Sequence, residues 1–154
     1  MMRILLIEDE YDKREKIKSE LERIVGDAVD IVERESLRGG LKAILTIEDI
    51  DLILLDMSMP SFDVTDDIGG EHPESFAGFE IMAQMKLRDV NIPVLVVTQY
   101  KTFEKGSFSL EELISKMSDE FGSFYRGTIY YNSSLEEWKK QLLEYIKEIK
   151  GALN

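Results

Sequence analysis

The chain has 154 residues, a length that suits one domain with its own hydrophobic core. Hydrophobic residues make up 44% and charged residues 32%, and no apolar run is long enough to span a bilayer, which excludes a membrane-embedded protein. The net charge of -12 opposes general binding to nucleic acid, and the lack of cysteine excludes disulfides and thiolate chemistry. We therefore expect a single domain over residues 1–154, located in the cytoplasm.

Short apolar segments alternate with amphipathic segments along the chain. Segments rich in Ile, Leu and Val predict five strands, at residues 3–7, 28–32, 50–55, 94–97 and 128–131. Apolar residues at helical spacing predict a helix after each strand, and these helices begin near Asp12, Ser36, Ala77, Ser109 and Ser134. Polar loops are expected at residues 61–75, which include His72, the only histidine, and at residues 99–107.

Capping residues mark several of these helix ends. Ser36 is a candidate N-cap for the second helix. Ser109 with Glu112, and Ser134 with Glu137, have the spacing of a capping box. Gly26 and Gly151 are candidate stops for the first and last helices.

Alternating strands and helices predict an α/β fold with one parallel sheet, helices on both faces and right-handed crossovers. We expect the flavodoxin-like, doubly wound strand order 2-1-3-4-5, whose switch point lies between the first and third strands. Those two strands end on acidic residues: Glu8 and Asp9 follow the first strand, and Asp56 follows the third. The three carboxylates are therefore predicted to share one site at the carboxyl edge of the sheet.

Three carboxylates held close together repel one another unless a cation neutralises them or some of them stay protonated. A part-hydrated site built of oxygen ligands suits Mg²⁺. A metal held there can bring a phosphoryl donor to Asp56, whose carboxylate can attack phosphorus and form an aspartyl phosphate. Thr98, at the end of the fourth strand, is then placed to hydrogen-bond a phosphoryl oxygen.

Four segments together resemble the receiver domains of response regulators in two-component signalling. They are ILLIEDE at residues 4–10, LLDMSMP at 54–60, GFE at 78–80 and IPVLVVT at 92–98. The resemblance implies Mg²⁺ as cofactor, a sensor histidine kinase or phosphotransfer protein as phosphoryl donor, and a downstream protein as target. It implies a phosphoacceptor domain without an effector domain, and not an enzyme beyond weak self-dephosphorylation.

The same resemblance assigns roles to individual residues. Asp56 matches the phosphoacceptor, and Glu8 with Asp9 matches the acidic pair at the metal. Ser58 matches the position that lends a backbone carbonyl to the metal, and Thr98 matches the switch hydroxyl.

One departure from the receiver pattern stands out. Receiver domains usually end the fifth strand on a lysine that contacts the phosphoryl group, whereas here Tyr131 or Asn132 occupies that place. Either side chain can donate a hydrogen bond, but neither supplies a positive charge.

Two alternatives to a phosphorylated receiver remain open. The first is a pseudo-receiver that keeps the fold and binds a partner without phosphorylation, which the missing lysine favours. The second is a metal-dependent phosphohydrolase that turns over through an aspartyl phosphate. Enzymes of that kind resembling the haloacid dehalogenase family need a second aspartate two residues after the nucleophile, where this chain has Ser58.

Overall fold

The computed structural model describes residues 1–62, 76–103, 106 and 108–153. The strands are β1 (Met2–Ile7), β2 (Val29–Arg34), β3 (Leu52–Leu55), β4 (Val94–Thr98), β5 (Thr102–Phe103), β6 (Phe108–Ser109) and β7 (Tyr125–Tyr130). The helices are α1 (Tyr11–Val25), α2 (Leu37–Thr46), α3 (Ala77–Leu87), α4 (Leu110–Phe121) and α5 (Glu137–Leu153), with one 3₁₀ turn at Gly26–Ala28. The loop predicted at 61–75, including His72, lies outside the described residues from position 63 onward.

Five of the strands form one sheet in the order β2-β1-β3-β4-β7, and every neighbouring pair is parallel. This is the flavodoxin-like order that the sequence predicts, with β7 as its fifth strand. The register pairs Ile7 of β1 with Leu55 of β3, so the two strands end side by side. Within the described part of the chain, no helix is both long enough and apolar enough to cross a membrane.

The hydrophobic core lies on both faces of this sheet, because successive side chains of a strand point to opposite sides. On one face, Leu5, Ile7, Ile53 and Leu55 pack with α2, α3 and α4. On the other face, Ile4, Leu6, Leu52 and Leu54 pack with α1 and α5. Both faces of the central strands are thus covered, which explains why their sequences are continuous apolar runs without polar alternation.

The predicted caps are partly confirmed. The Ser36 side chain accepts a hydrogen bond from Gly39 N at 3.0 Å, and Ser109 and Glu112 form a reciprocal capping box. The predicted cap at Ser134 is wrong, because α5 begins only at Glu137. Ser134 N donates to the side chain of Asn132 at 2.9 Å, so this segment forms a turn before the helix starts.

Several element boundaries differ from prediction. β7 begins at Tyr125, ahead of the predicted start at residue 128, because a register shift leaves Arg126 between the residues paired with Val94 and Leu95. α5 continues past the predicted stop at Gly151 to Leu153. The predicted loop at 99–107 contains part of a short antiparallel pair, in which Phe103 lies opposite Phe108.

Candidate functional site

The ends of β1 and β3 bring acidic side chains together at the carboxyl edge of the sheet. Backbone hydrogen bonds fix both strand ends: Glu8 N donates to Arg34 O at 2.9 Å, and Asp56 N donates to Ile7 O at 3.1 Å. The backbone positions of Glu8 and Asp56 therefore follow directly from the strand pairing. This is the edge at which parallel α/β sheets place their ligand sites.

Glu8, Asp9 and Asp56 each offer a carboxylate oxygen, and these oxygens lie within 4.8 Å of one another. Glu8 and Asp56 are buried, whereas Asp9 is half-buried. An all-oxygen donor set that is partly open to water fits Mg²⁺, which keeps several waters and takes one or two carboxylates. The grouping predicted from the sequence thus exists, and its residues fit a divalent cation.

A fourth charged side chain, which the sequence interpretation missed, completes the site. Lys13 lies in the first turn of α1, and its side chain is fully buried. Its ammonium nitrogen Nζ is 2.7 Å from Glu8 Oε1 and 3.3 Å from Asp56 Oδ1, and it donates to the carbonyl of Val97 at 2.8 Å. The ammonium therefore joins the ends of β1, β3 and β4.

The surroundings set the charge state of these groups. Desolvation and the neighbouring charge of Asp56 raise the pKa of Glu8 to about 8, although Lys13 acts in the opposite direction. Desolvation also raises the pKa of Asp9, and it raises that of Asp56 against the opposing effect of Lys13. Burial acts to lower the pKa of Lys13, but the charges of Asp56 and Glu8 outweigh it and raise this pKa. The lysine is therefore charged, and one ammonium faces three carboxyl groups.

The two oxygens of Asp56 have different partners. Oδ1 accepts a hydrogen bond from Met57 N at 2.7 Å and is also the oxygen nearest Lys13. Oδ2 is engaged by neither of these groups. The side chain is thus held through one oxygen, while the other is better placed to act as a nucleophile or a metal ligand.

The other predicted site residues lie around this centre. Thr98 is fully buried at the end of β4, and its hydroxyl accepts a hydrogen bond from Tyr100 N at 3.3 Å. Ser58 follows Asp56 in the loop after β3 and is half-buried. Both residues lie where the sequence predicts, next to the strand ends that carry the carboxylates.

The two residues at the expected lysine position have other contacts. The Tyr131 ring is buried against Trp138, with 4.9 Å between ring centroids, and the Lys13 ammonium is 5.6 Å from the Tyr131 centroid. Asn132 accepts from Ser134 N. The described hydrogen bonds include none from Tyr131 or Asn132 to Asp56. This strand end therefore provides an aromatic wall, and the positive charge comes from α1.

A polar cavity of about 320 Å³ opens beside this centre. Its lining includes Lys13, Lys16, Gln99, Tyr131 and Asn132. A volume of this order accommodates a small ligand or one side chain of a partner protein. Lys13 therefore belongs both to the acidic centre and to the wall of this cavity.

Comparison with known proteins confirms the resemblance to response regulators. The chain is similar to the Detocs response regulatory protein DtcB of Enterobacter cloacae (strain JD6301), with 26% identity over 96% of this chain and 100% of the relative. No family model matches the chain.

Solved receiver domains share the fold. The receiver domain of the Francisella response regulator 1452 superposes with a TM-score of 0.66 at 15% identity, over 100% of both chains. A structure of the CheA3 P1 domain in complex with CheY6 from R. sphaeroides matches with a TM-score of 0.62 at 18% identity, over 97% of both chains. The chain therefore has the receiver fold, and the similar proteins are signalling proteins.

Proposed function

We propose that this protein is a receiver that accepts a phosphoryl group on Asp56 in a Mg²⁺-dependent reaction and signals through changed protein contacts. The observation that carries this proposal is the gathering of oxygens from Glu8, Asp9 and Asp56 within 4.8 Å at the carboxyl edge of a receiver fold. The similarity to DtcB, a response regulatory protein, supports the same assignment.

Each residue of the site has a role in this proposal. Asp9 and Asp56, with Glu8 behind them and the carbonyl of Ser58, would hold Mg²⁺, which neutralises charge on the phosphoryl oxygens. An oxygen of Asp56 attacks phosphorus, and the O–P bond forms as the P–N bond of the donor's phosphohistidine breaks. The electron pair leaves on the imidazole nitrogen, which takes a proton from solvent. Burial of Asp56 keeps bulk water away from the resulting acyl phosphate.

Thr98 links this reaction to a change in shape. A phosphoryl group adds roughly two negative charges and three strong acceptor oxygens. The Thr98 hydroxyl accepts a hydrogen bond from Tyr100 N, and by turning toward Asp56 it can donate its own proton to one of these oxygens. The segment after β4 would then move, and that is a change that a downstream protein can read.

The partners of this protein follow from the same chemistry. CheY6 forms a complex with the P1 domain of CheA3, so a protein of similar fold pairs with a domain of another signalling protein. We propose a histidine kinase or phosphotransfer protein as the donor here, and a second protein as the target. The lack of cysteine fits the cytoplasm, which remains the location we propose.

Intact-mass measurement tests the proposal. Incubation with Mg²⁺ and acetyl phosphate should add the mass of one phosphoryl group, and hydroxylamine should remove it, because an acyl phosphate is labile to that nucleophile. Asp56→Asn should abolish the addition, whereas Asp119→Asn, at an exposed position of α4, should not. Unmodified protein, measured beside a known receiver that is modified under the same conditions, would contradict the proposal.

A constitutive partner-binding domain is the second candidate. The ion pair between Lys13 and Asp56 favours it, because an internal cation already compensates part of the acidic charge without a metal. The same mass measurement separates the two functions, since the second requires that Asp56 stays unmodified.

A further inference from the structure

We propose that Lys13, from the first turn of α1, contacts the phosphoryl group on Asp56 and replaces the lysine that is missing from the end of the fifth strand. The inference rests on the proposed function, and it adds a phosphate-contacting residue that the receiver pattern does not contain at this position. It follows from the geometry of one buried ammonium group.

Charge is the first argument. A phosphoryl group on Asp56 would add about two negative charges to a centre that already contains three carboxyl groups. Among the ion pairs in the described ranges, only that of Lys13 reaches Asp56. Lys16 is nearby, but it lies on the exposed side of α1. Lys13 is therefore the side chain whose charge is already in place.

The count of hydrogen bonds is the second argument. An ammonium group has three donors, and Lys13 has three oxygen neighbours, on Glu8, Val97 and Asp56. The distance to Asp56 is the longest of the three, at 3.3 Å. When Asp56 is phosphorylated, its charge moves outward onto the phosphoryl oxygens. The third N–H group of Lys13 can then donate to a phosphoryl oxygen, while the other two still bind Glu8 and Val97.

The third argument concerns Tyr131. The ammonium is 5.6 Å from the centroid of this ring, so it lies beside the residue found where the usual lysine is expected. Tyr131 is itself buried against Trp138 and packs in the core. The positive charge thus comes from α1 and lies beside the aromatic side chain at the end of the fifth strand.

The test compares three proteins in Mg²⁺: the unaltered chain, Lys13→Met and the control Lys16→Met. Lys13→Met keeps an unbranched side chain, shorter by the terminal nitrogen, and removes its charge. Lys16→Met removes the charge one turn along the exposed side of α1. The measured quantity is the affinity for beryllofluoride, a phosphoryl mimic, followed by the fluorescence of Trp138, the single tryptophan. Since Trp138 contacts Tyr131, its emission reports on this wall of the site.

We expect Lys13→Met to weaken binding of the mimic by roughly ten- to a hundredfold, the range of one charge-assisted hydrogen bond, and Lys16→Met to change it little. Equal affinity of the unaltered chain and a folded Lys13→Met would overturn the inference. In that case, the proposed function survives if acetyl phosphate still modifies Asp56. If the unaltered chain neither binds the mimic nor is modified, both proposals fall.

A measurement on the unaltered chain covers the case in which Lys13→Met does not fold. The ¹⁵Nζ resonance of Lys13 can be identified by its proximity to the Tyr131 ring. It should shift when beryllofluoride is added to the Mg²⁺-loaded protein, while the resonance of Lys16 should not. An unchanged Lys13 resonance at saturating mimic would contradict the proposed contact.

Discussion

The pKa of Glu8 reports on the balance of charge in the site. Lys13 compensates one negative charge, while Glu8, Asp9 and Asp56 together can carry three. Desolvation and the charge of Asp56 raise the pKa of Glu8 to about 8, from an ordinary value of 4.5. In the metal-free protein, a proton therefore does part of the neutralisation that a divalent cation would otherwise do.

The raised pKa of Glu8 predicts how stability depends on pH. The folded state binds this proton more tightly than the unfolded chain does, so the contribution to stability is complete below pH 4.5 and is lost as the pH rises through about 8. In EDTA, the free energy of unfolding should therefore fall between about pH 5 and pH 8, and it should fall less steeply in Glu8→Gln. Urea denaturation at several pH values measures both slopes. Parallel slopes would contradict the prediction.

The acidic residues of the site could be predicted from the sequence, and Lys13 could not. A carboxylate that ends an apolar run has a position fixed by the strand, so Glu8 and Asp56 were predictable once the strand order was known. Lys13 lies in a helical segment rich in charged residues, where a lysine is normally solvated. The one available signal is that it precedes Ile17 and Leu21 on the buried side of α1.

At the level of elements, α3 begins directly against the loop that carries Asp56 and Met57. Gly78 N donates to Met57 O at 3.0 Å, and a Cβ atom on Gly78 would lie 2.6 Å from the backbone oxygen of Asp56. The glycine therefore lets the first turn of α3 approach the backbone of Asp56. By contrast, a Cβ on Gly151 in α5 would meet nothing within 4 Å.

This contact predicts opposite outcomes for two glycine substitutions. Gly78→Ala should destabilise the protein by about 1–3 kcal/mol, because the backbone of the loop must shift to admit the methyl group. Gly151→Ala should stabilise it by up to about 1 kcal/mol, because alanine favours a helix more than glycine does. Chemical denaturation of both variants measures the difference. A Gly78→Ala variant as stable as the unaltered chain would contradict the prediction, because the loop would then shift without any loss of stability.

Boundaries of the elements were less predictable than their existence, for local reasons. The side chain of Asn132 accepts from Ser134 N and delays the start of α5, although the spacing of Ser134 and Glu137 is that of a capping box. Gly127 lies in β7 with φ of 153°, and a Cβ atom there would collide with the Tyr145 side chain. Glycine weakens a strand, so the local sequence does not predict that β7 passes through this position. The start of α5 and the extent of β7 thus depend on side-chain contacts that the spacing of residues in the sequence does not reveal.

At the scale of the whole molecule, the sheet separates two hydrophobic clusters, and its strands differ in how well they are covered. All residues of β3 and β4 are buried, whereas all residues of the edge strand β2 are half-buried. The central strands are therefore shielded on both faces, and among the described strands β2 pairs only with β1.

This difference predicts the order of amide hydrogen exchange. Amides of Leu52–Leu55 and Val94–Thr98 should exchange through global unfolding and be the slowest, while those of Val29–Arg34 should exchange faster through local opening of the edge. Hydrogen exchange followed by mass spectrometry or NMR distinguishes these segments. Equal protection of β2 and β3 would indicate that the sheet opens only as a single unit.

The backbone hydrogen bonds near Asp56 also bear on how such a protein can diversify. Pro60 O and Ser61 O accept from Leu37 N and Arg38 N of α2, and Met57 O accepts from Gly78 N of α3. Backbone hydrogen bonds thus hold the chain on both sides of residues 63–75. Insertions, deletions and new sequences between these two hydrogen-bonded points can accumulate in descendants without displacing Asp56. Surfaces that recognise other proteins can in this way evolve separately from the acidic site.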